Sequence, residues 1–373
     1  MLHGYAALGV EIQDLESLAV QLTPAAEMTK LLPGTVRKVP TLCCGEDDWW
    51  QFTSDSRNLE FVLRQTGNRC DLHLTFADIL PLYKALLSAP PGQYHVGDRI
   101  VVLREPDSSR TQKPKRTVGV PPASKPIVSG SAQLQFNIEM PLDVICDFIL
   151  GPDMKVDSGW FAQYFGVAYG FWTVAKTKQE MQMCQAVVQK IGALSADKFG
   201  SILCPGSTDD PGAQSLVKGY LSLLAMCGVH LGKFPTMHPV KDMPLLCKTN
   251  LGALAADLAK DGIIWNNNRS QTAIVNLIRT ALSQSTKKGE FDLQSATNAI
   301  AQCLEEGKHP LTGVTYAGPF RLDMLSPRWL GTCKRFQVVL ELRRMPVLPY
   351  TDWLGASEAA FDYFVVDKDR RFV

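Results

Sequence analysis

Apolar residues recur at helical spacing through most of the second half of the chain. Beyond residue 140 they repeat every three or four positions, and glycine, proline and asparagine signals separate the repeats, which predicts amphipathic helices. The predicted helices span residues 141–150, 160–175, 178–191, 213–229, 251–259, 271–283 and 293–305. The pattern therefore favours a large helical bundle in this half of the chain.

The N-terminal part of the chain contains patterns of both helices and strands. Apolar residues at helical spacing predict an amphipathic helix over residues 12–22, which packs either on its own lobe or on a neighbouring subunit. Residues 59–65 and 72–87 continue the mixture, and residues 93–103 are predicted to be a strand or hairpin arm. These elements predict a small α+β lobe.

Apolar and polar residues alternate strictly over residues 133–140. This alternation predicts a strand with Leu134, Phe136 and Ile138 facing inward. The chain as a whole is predicted to be mainly α and two-lobed. Residues 1–103 form a small α+β N-terminal lobe, residues 104–130 a basic proline-rich loop or linker, and residues 131–373 a larger α-helical C-terminal lobe.

The linker combines positive charge with prolines, which is typical of an extended segment that does not join a packed core. The basic residues in and beside it are Arg99, Arg104, Arg110, Lys113, Lys115, Arg116 and Lys125. A segment of this kind can bind phosphates without sequence preference. A solvated connection between lobes is the alternative interpretation.

Composition limits what the chain can bind. The net charge of +1 over 373 residues excludes a uniformly basic protein, so any nucleic-acid binding must come from clustered Lys and Arg. The ten cysteines lack the spacing of a small disulfide framework and predict a reduced, intracellular protein. The sequence predicts neither a signal peptide nor a membrane span.

The C-terminal stretch predicts two helices joined by a proline turn. The first helix begins near Ser326 and continues to Met345, and Pro346 forces the chain to turn. A second helix from about Ala356 places Asp362 among aromatic residues. A carboxylate in such surroundings needs a partner, and Arg335 is the candidate, unless Asp362 points to water.

The order of these features, an Arg-Phe helix, a proline turn with a Trp and then Ala-Ala-Phe-Asp-Tyr-Phe, resembles the C-terminal core of coat proteins from flexible filamentous plant viruses of the potexvirus and carlavirus kind. The resemblance implies a structural ion pair between Arg335 and Asp362 beneath an RNA-binding groove. The residues expected to bind RNA are Arg328, Lys334, Arg335, Arg343 and Arg344, together with Arg110, Lys113, Lys115 and Arg116 of the linker.

Known catalytic and metal-binding patterns add little to this picture. The chain has no phosphate-binding Gly-x-x-x-x-Gly-Lys, no His-Glu-x-x-His and no Gly-x-Ser-x-Gly motif. Adjacent acids at residues 46–48 are typical of a solvated turn. Cys227 and His230 form one tight pair, but His238 and Cys247 do not form the second that a zinc site needs. The sequence predicts no catalytic residue, no metal and no cofactor.

The leading hypothesis is a non-enzymatic viral coat protein that polymerises along single-stranded RNA, in the virion and the host cytoplasm. It would bind phosphates without sequence preference in a basic groove between the lobes, self-associate into a helical polymer, and have no membrane partner. One alternative is a nucleoprotein of a negative-strand RNA virus. A second alternative is an intracellular globular enzyme or adaptor that does not bind RNA.

Overall fold

The structure is a computed structural model of the 373-residue chain. It describes residues 7–14, 19–24, 36–38, 50–55, 58–63, 66–90, 92–96, 99–104, 131–150, 175–233, 245–286, 291–306, 336–342 and 347–366. Within these residues, one large β-sheet and a set of helices share a single buried core.

The sheet contains eleven strands drawn from both ends of the chain. They are β1 Ala7–Asp14, β2 Ala19–Pro24, β3 Val36–Lys38, β4 Trp50–Asp55, β5 Asn58–Leu63, β6 Gly92–Val96, β7 Arg99–Arg104, β8 Ser131–Pro141, β9 Leu245–Cys247, β10 Gln337–Leu342 and β11 Val347–Pro349. Their order is β3-β6-β7-β2-β5-β1-β8-β10-β9, with β4 paired to β5 and β11 paired to β8. The β3–β6 pair is parallel, and the other pairs are antiparallel.

The helices come mainly from the middle of the chain. They are α1 Arg69–Ser88, α2 Ile145–Leu150, α3 Ala175–Gly192, α4 Pro211–Lys233, α5 Leu251–Lys260, α6 Asn268–Ser285, α7 Leu293–Glu306 and α8 Trp353–Phe361. Asparagine side chains begin three of them: Asn68, Asn250 and Asn267 each accept a hydrogen bond from a backbone N–H of the first turn. These caps satisfy donors that a helix end leaves without partners.

Strand β8 lies near the middle of the sheet, between β1 and β10. Its residues alternate as predicted, and Leu134, Phe136 and Ile138 are fully buried on one face. The register places Leu8 of β1 and Leu340 of β10 on either side of Ile138. Because every second residue of a strand faces the same side, this register gives the sheet one continuous apolar face.

Helices α1 and α8 pack near β5 and β1 and join the apolar core. The Trp353 ring lies 4.6 Å from the Tyr83 ring, and Tyr83 meets Phe61 of β5 edge-on at 6.1 Å. The Trp353 indole N–H donates to the Leu348 carbonyl at 3.0 Å, so its polar atom is satisfied although the ring is buried. The C-terminal helix is thus fixed to the N-terminal half of the sheet.

Helix α4 is the apolar centre of the helical half, where it packs against α3, α6 and α7. Residues Pro211–Gly232 are long and apolar enough to cross a membrane, with a mean hydropathy of 1.2, but 78% of that segment is buried inside the protein. A core helix has the same composition. Gly219 lets α4 approach the turn at Leu142, because a Cβ there would lie 1.9 Å from the Leu142 carbonyl oxygen.

The prediction of a mainly α, two-lobed chain is wrong, because the central sheet takes strands from residues 7–104 and from residues 131–349. The region predicted as a helix over residues 12–22 contains the end of β1 and most of β2. The predicted helix from Ser326 to Met345 contains β10 instead. Val339 lies on the same face as Gln337 and Glu341, so one buried apolar residue interrupts the alternation by which a strand is recognised.

Other predictions are confirmed. Helices α3, α4, α5, α6 and α7 lie where apolar spacing predicted them. Strand β8 and the short C-terminal helix α8 are also present. The predicted helix at 160–175 lies almost entirely outside the described residues, as does the linker at 104–130, and the boundaries of the two predicted lobes stay predictions.

The contact at Gly219 generates a stability prediction. Gly219→Ala should lower the free energy of unfolding by about 3 kcal/mol, because the new methyl group overlaps a backbone carbonyl that cannot rotate away. Urea denaturation measures the change. Gly206→Ala is the matched control, since nothing lies within 4 Å of its Cβ position. Equal unfolding midpoints for the two variants would show that α4 does not approach Leu142 this closely.

Candidate functional site

The face of the sheet opposite the apolar core carries polar residues on adjacent strands. On β8 these are Gln133, Gln135, Asn137 and Glu139, which alternate with the core residues. Gln135, Asn137 and Glu139 are buried, with 8%, 1% and 8% of their surface exposed. Buried polar side chains are expensive unless they are hydrogen-bonded. A whole strand face of them marks this side of the sheet as the candidate functional site.

Four polar residues from neighbouring strands form a row across this face, named here the charged row: Glu11 on β1, Asn137 on β8, Glu341 on β10 and Lys248 directly after β9. Asn137 and Glu341 are register partners, and Gly9, two residues before Glu11, is the partner of Asn137 on the other side. The sheet pairing therefore places side chains from four neighbouring strands or strand ends next to each other.

Hydrogen bonds and ion pairs connect the charged row. The Asn137 Nδ2 donates to Glu11 Oε1 at 2.8 Å. The Lys248 Nζ lies 3.1 Å from the same Glu11 oxygen and 3.3 Å from Glu341 Oε2. The exposed fractions of the side chains are 16% for Glu11, 13% for Lys248 and 2% for Glu341. The row is therefore a largely buried ionic network whose Glu11 and Lys248 side chains reach solvent.

Backbone pairing and a helix cap fix the position of Lys248. Its N–H donates to the Val339 carbonyl at 2.9 Å, and the Val339 N–H donates to Thr249 Oγ1 at 2.9 Å. Asn250 then begins α5 by accepting bonds from Gly252 and Ala253. The main chain at Lys248 is thus held between a strand and a helix, while its side chain crosses β10 toward Glu11.

The charge state of Lys248 follows from these contacts. Burial alone would lower the pKa of its ammonium group, but the carboxylates of Glu11 and Glu341 raise it, and the net shift is upward from 10.5. Lys248 therefore keeps its proton at neutral pH. A protonated lysine cannot act as a nucleophile or general base, but it can hold carboxylates or phosphate groups in place.

The Asn137 amide oxygen is an acceptor to which no described residue donates. Its Oδ1 is buried and accepts no hydrogen bond from any described residue. Both contacts of the Glu11 carboxylate go to one oxygen, Oε1. Among the described residues no cluster of three or more His, Cys, Asp or Glu side chains could hold a metal ion alone.

The residues predicted to bind RNA all lie outside the described residues: Arg328, Lys334, Arg335, Arg343, Arg344, Arg110, Lys113, Lys115 and Arg116. Asp362 is described, at the end of α8, with 42% of its side chain exposed. Its carboxylate accepts a bond from Arg69 Nη2 at 2.5 Å. The pairing of Asp362 with Arg335 stays a prediction, and the partner that the structure provides is Arg69.

Arg69 and Asp362 belong to a surface cluster that joins α1 to α8. Arg69 Nε lies 4.0 Å from Glu358 Oε1, and His73 Nε2 lies 2.6 Å from the same oxygen. All four side chains are between 29% and 49% exposed. Exposed ion pairs contribute little to stability, so this cluster aligns the two helices and has none of the features of a buried reaction site.

Buried thiols explain the cysteine and histidine pattern of the sequence. Cys227, Cys247 and Cys303 lie inside the core, and burial is the main reason that their thiol pKa values are raised, to about 12 for Cys247 and Cys303. His230 is also buried, whereas His238 lies outside the described residues. Protonated buried thiols behave as small apolar side chains.

No protein-family model matches the chain, and no curated protein matches it. Two solved structures do match. One is a Vibrio cholerae toxin from the MARTX/VgrG family, with 10% identity over 92% of this chain and 94% of that chain and a TM-score of 0.42. The other is a mutant VgrG Vibrio cholerae toxin ACD domain in complex with ADP and Mn++, with 9% identity over 94% and 96% and a TM-score of 0.42. At these values the likeness assigns no activity to this chain.

The viral interpretation depended on a C-terminal helix, and β10 lies within the residues predicted to form it. The predictions of a coat protein or nucleoprotein, of a chain without enzymatic activity and of a location in the virion and host cytoplasm are wrong. The two matched structures are bacterial toxin domains. Residues 326–335 of the predicted helix lie outside the described residues, and Gln337–Leu342 form a strand. Binding of single-stranded RNA and self-association stay predictions.

Sequence reasoning missed all four residues of the charged row. A signal existed for Asn137, because the alternation of β8 places it opposite Leu134, Phe136 and Ile138. Glu11 directly precedes the helix predicted at residues 12–22, and Glu341 lies in the helix predicted from Ser326 to Met345. Neither prediction placed these carboxylates on a strand face. Lys248 gives no signal in the sequence, since its role depends on pairing with β10.

The exposure of Asp362 leads to a stability prediction. Asp362→Ala should lower the free energy of unfolding by no more than about 1 kcal/mol, because its pair with Arg69 is half exposed and screened by solvent. Thermal or urea unfolding measures this, with Arg69→Met as the reciprocal variant. A loss of about 3 to 5 kcal/mol would instead indicate a buried partner for Asp362, as in the predicted pair with Arg335.

The thiols give a second prediction. Cys70 is exposed and should react with iodoacetamide in the folded protein, whereas Cys146, Cys247 and Cys303 should stay unmodified at pH 8. The reason is that burial raises their pKa values to about 11, 12 and 12 and also blocks access. Mass spectrometry of the alkylated protein, with a urea-unfolded sample as control, identifies the sites. Alkylation of Cys247 in the folded protein would contradict the core packing.

Proposed function

We propose that the chain is an enzyme whose active site is the charged row, and that it binds a divalent cation together with a phosphate-bearing ligand. The observation that carries the proposal is the row itself, where two carboxylates, an amide oxygen and a protonated lysine meet on one sheet face. Buried ionisable groups that converge in this way are typical of functional sites. The proposal departs from the sequence prediction of no cofactor.

The oxygen atoms of the row suit a hard cation. Mg²⁺ and Mn²⁺ prefer carboxylate and carbonyl oxygens, and Mg²⁺ is commonly held by one or two carboxylates with substrate phosphates completing its coordination. Glu11 and Glu341 supply the carboxylates, and Asn137 Oδ1 is a buried acceptor to which no described residue donates. These residues fit a cation that arrives with a ligand, which agrees with the lack of a complete metal-binding cluster among the described residues.

Lys248 suits the anionic part of such a ligand. A lysine that keeps its proton is a strong point charge for phosphate oxygens. Its ammonium contacts both carboxylates of the row, so a phosphate that pairs with this ammonium would lie near a cation held by the same carboxylates. A bound divalent cation would neutralise charge on the phosphate oxygens and hold them in position.

Burial strengthens the electrostatic interactions of the charged row and fixes its side chains. Glu341 and Asn137 are 2% and 1% exposed, so they stay in place while Glu11 and Lys248 reach toward solvent. Charged groups in a site with little water interact more strongly than on an open surface, and fixed groups need no reorganisation when a ligand binds. The chain's own contribution is therefore to bind, orient and shield the phosphate group.

Isothermal titration calorimetry tests the proposal with ADP and Mn²⁺ as the probe. The probe follows from the complex of the matched toxin domain, which is a property of that protein. We expect the wild-type protein to bind ADP in the presence of Mn²⁺, and Glu11→Gln and Glu341→Gln to weaken that binding at least about tenfold, because each removes one charged oxygen ligand.

Glu305→Gln is the matched control, because Glu305 is an exposed carboxylate on α7, away from the sheet. It should bind as the wild-type protein does. Melting temperatures recorded for all variants separate a loss of binding from a loss of folding. If the wild-type protein binds no ADP with Mn²⁺ while Glu11→Gln still lowers the melting temperature, the charged row is a structural ion network and the proposal fails.

A further inference from the structure

The Lys248 ammonium contacts both carboxylates of the charged row. Its Nζ lies 3.1 Å from Glu11 Oε1 and 3.3 Å from Glu341 Oε2. A divalent cation held by the charged row would need the same two carboxylates. The lysine therefore stands where the proposed cation would bind.

The two positive charges compete for these carboxylates. An ammonium and a divalent cation at neighbouring positions repel each other strongly, more so where water is scarce. Glu11 Oε1 already accepts bonds from Asn137 Nδ2 and from Lys248, so a cation bound to the Glu11 carboxylate would lie close to the ammonium. Binding of the cation therefore favours movement of the ammonium away from these carboxylates.

The lysine is able to leave without disturbing the sheet. Its backbone is held by the bond from its N–H to the Val339 carbonyl, and Asn250 fixes the start of α5 two residues later. The side chain is a flexible four-carbon stem that is 13% exposed. A rotamer change therefore moves the charge while the main chain stays in place.

We propose that Lys248 is a specificity-determining residue that occupies the cation position until a phosphate-bearing ligand draws it away. The cation then binds tightly only in company with that ligand, because the phosphate gives the ammonium a new partner. This inference rests on the proposed function of the charged row. It predicts that removing the lysine has opposite effects on the two ligands.

Calorimetry with Mn²⁺ alone and with ADP in the presence of Mn²⁺ measures the two effects. Lys248→Met should bind Mn²⁺ alone at least about tenfold more tightly than the wild-type protein, and ADP with Mn²⁺ at least about tenfold more weakly. Lys248→Gln is a second neutral variant that retains polar contacts. Lys260→Met removes an exposed lysine at the end of α5 and should change neither affinity.

A measurement on the wild-type protein tests the same point without a variant. Reductive methylation of Lys248, followed by mass spectrometry with Lys260 as the internal reference, reports whether the amine is held. Saturating Mn²⁺ without ADP should speed methylation of Lys248, and adding ADP should slow it again. A methylation rate that Mn²⁺ leaves unchanged would contradict displacement of the lysine.

The outcomes distinguish this inference from the proposed function. If the wild-type protein binds ADP with Mn²⁺ but both neutral variants bind Mn²⁺ alone no better than the wild-type protein, the displacement is wrong and the proposed function stands. If the wild-type protein does not bind ADP with Mn²⁺ at all, the proposed function fails. Opposite shifts in the two affinities, with Lys260→Met unchanged, support both.

Discussion

The pairing of β8 with β1 on one edge and with β10 on the other is the constraint on which the rest of the structure depends. It places Leu8, Ile138 and Leu340 in one line on the apolar face. The same register places Gly9, Asn137 and Glu341 in one line on the opposite face. Because side chains alternate with a period of two, a slip of one residue would exchange the two faces. The core and the candidate site are therefore fixed by the same hydrogen bonds.

The charged row and the cluster at Asp362 differ in how much of each ion pair is buried, and therefore in the cost of removing one partner. Glu341 is 2% exposed and Lys248 13%, so removing one partner would leave the other charge in a place where water cannot compensate it. Arg69 and Asp362 are 48% and 42% exposed and keep much of their solvation when separated. A protein has little structural need for an expensive buried network where apolar residues would pack, which is why the row suggests function.

The helical half supports the site through one connected series of contacts. Tyr220 of α4, fully buried, donates its hydroxyl to the Leu251 carbonyl at the start of α5 at 3.1 Å. Asn250 caps that helix, and Lys248 lies two residues earlier, paired with β10. The packing of α4 therefore helps to position the backbone of Lys248. Helices and sheet act as one support for the site, although their sequences suggest separate lobes.

The sequence by itself determined the helices of the central part of the chain and the alternation of β8, because in both the local apolar period matches the final environment. It did not determine β1 or β10. The apolar residues after Ile12 fit a helix as well as two strands, and Val339 interrupts the alternation of β10, so local periodicity could not distinguish the alternatives. Glu11, Asn137, Lys248 and Glu341 are far apart along the chain. Only the long-range pairing of the strands brought them together, because strand partners are chosen by tertiary contacts that no local pattern encodes.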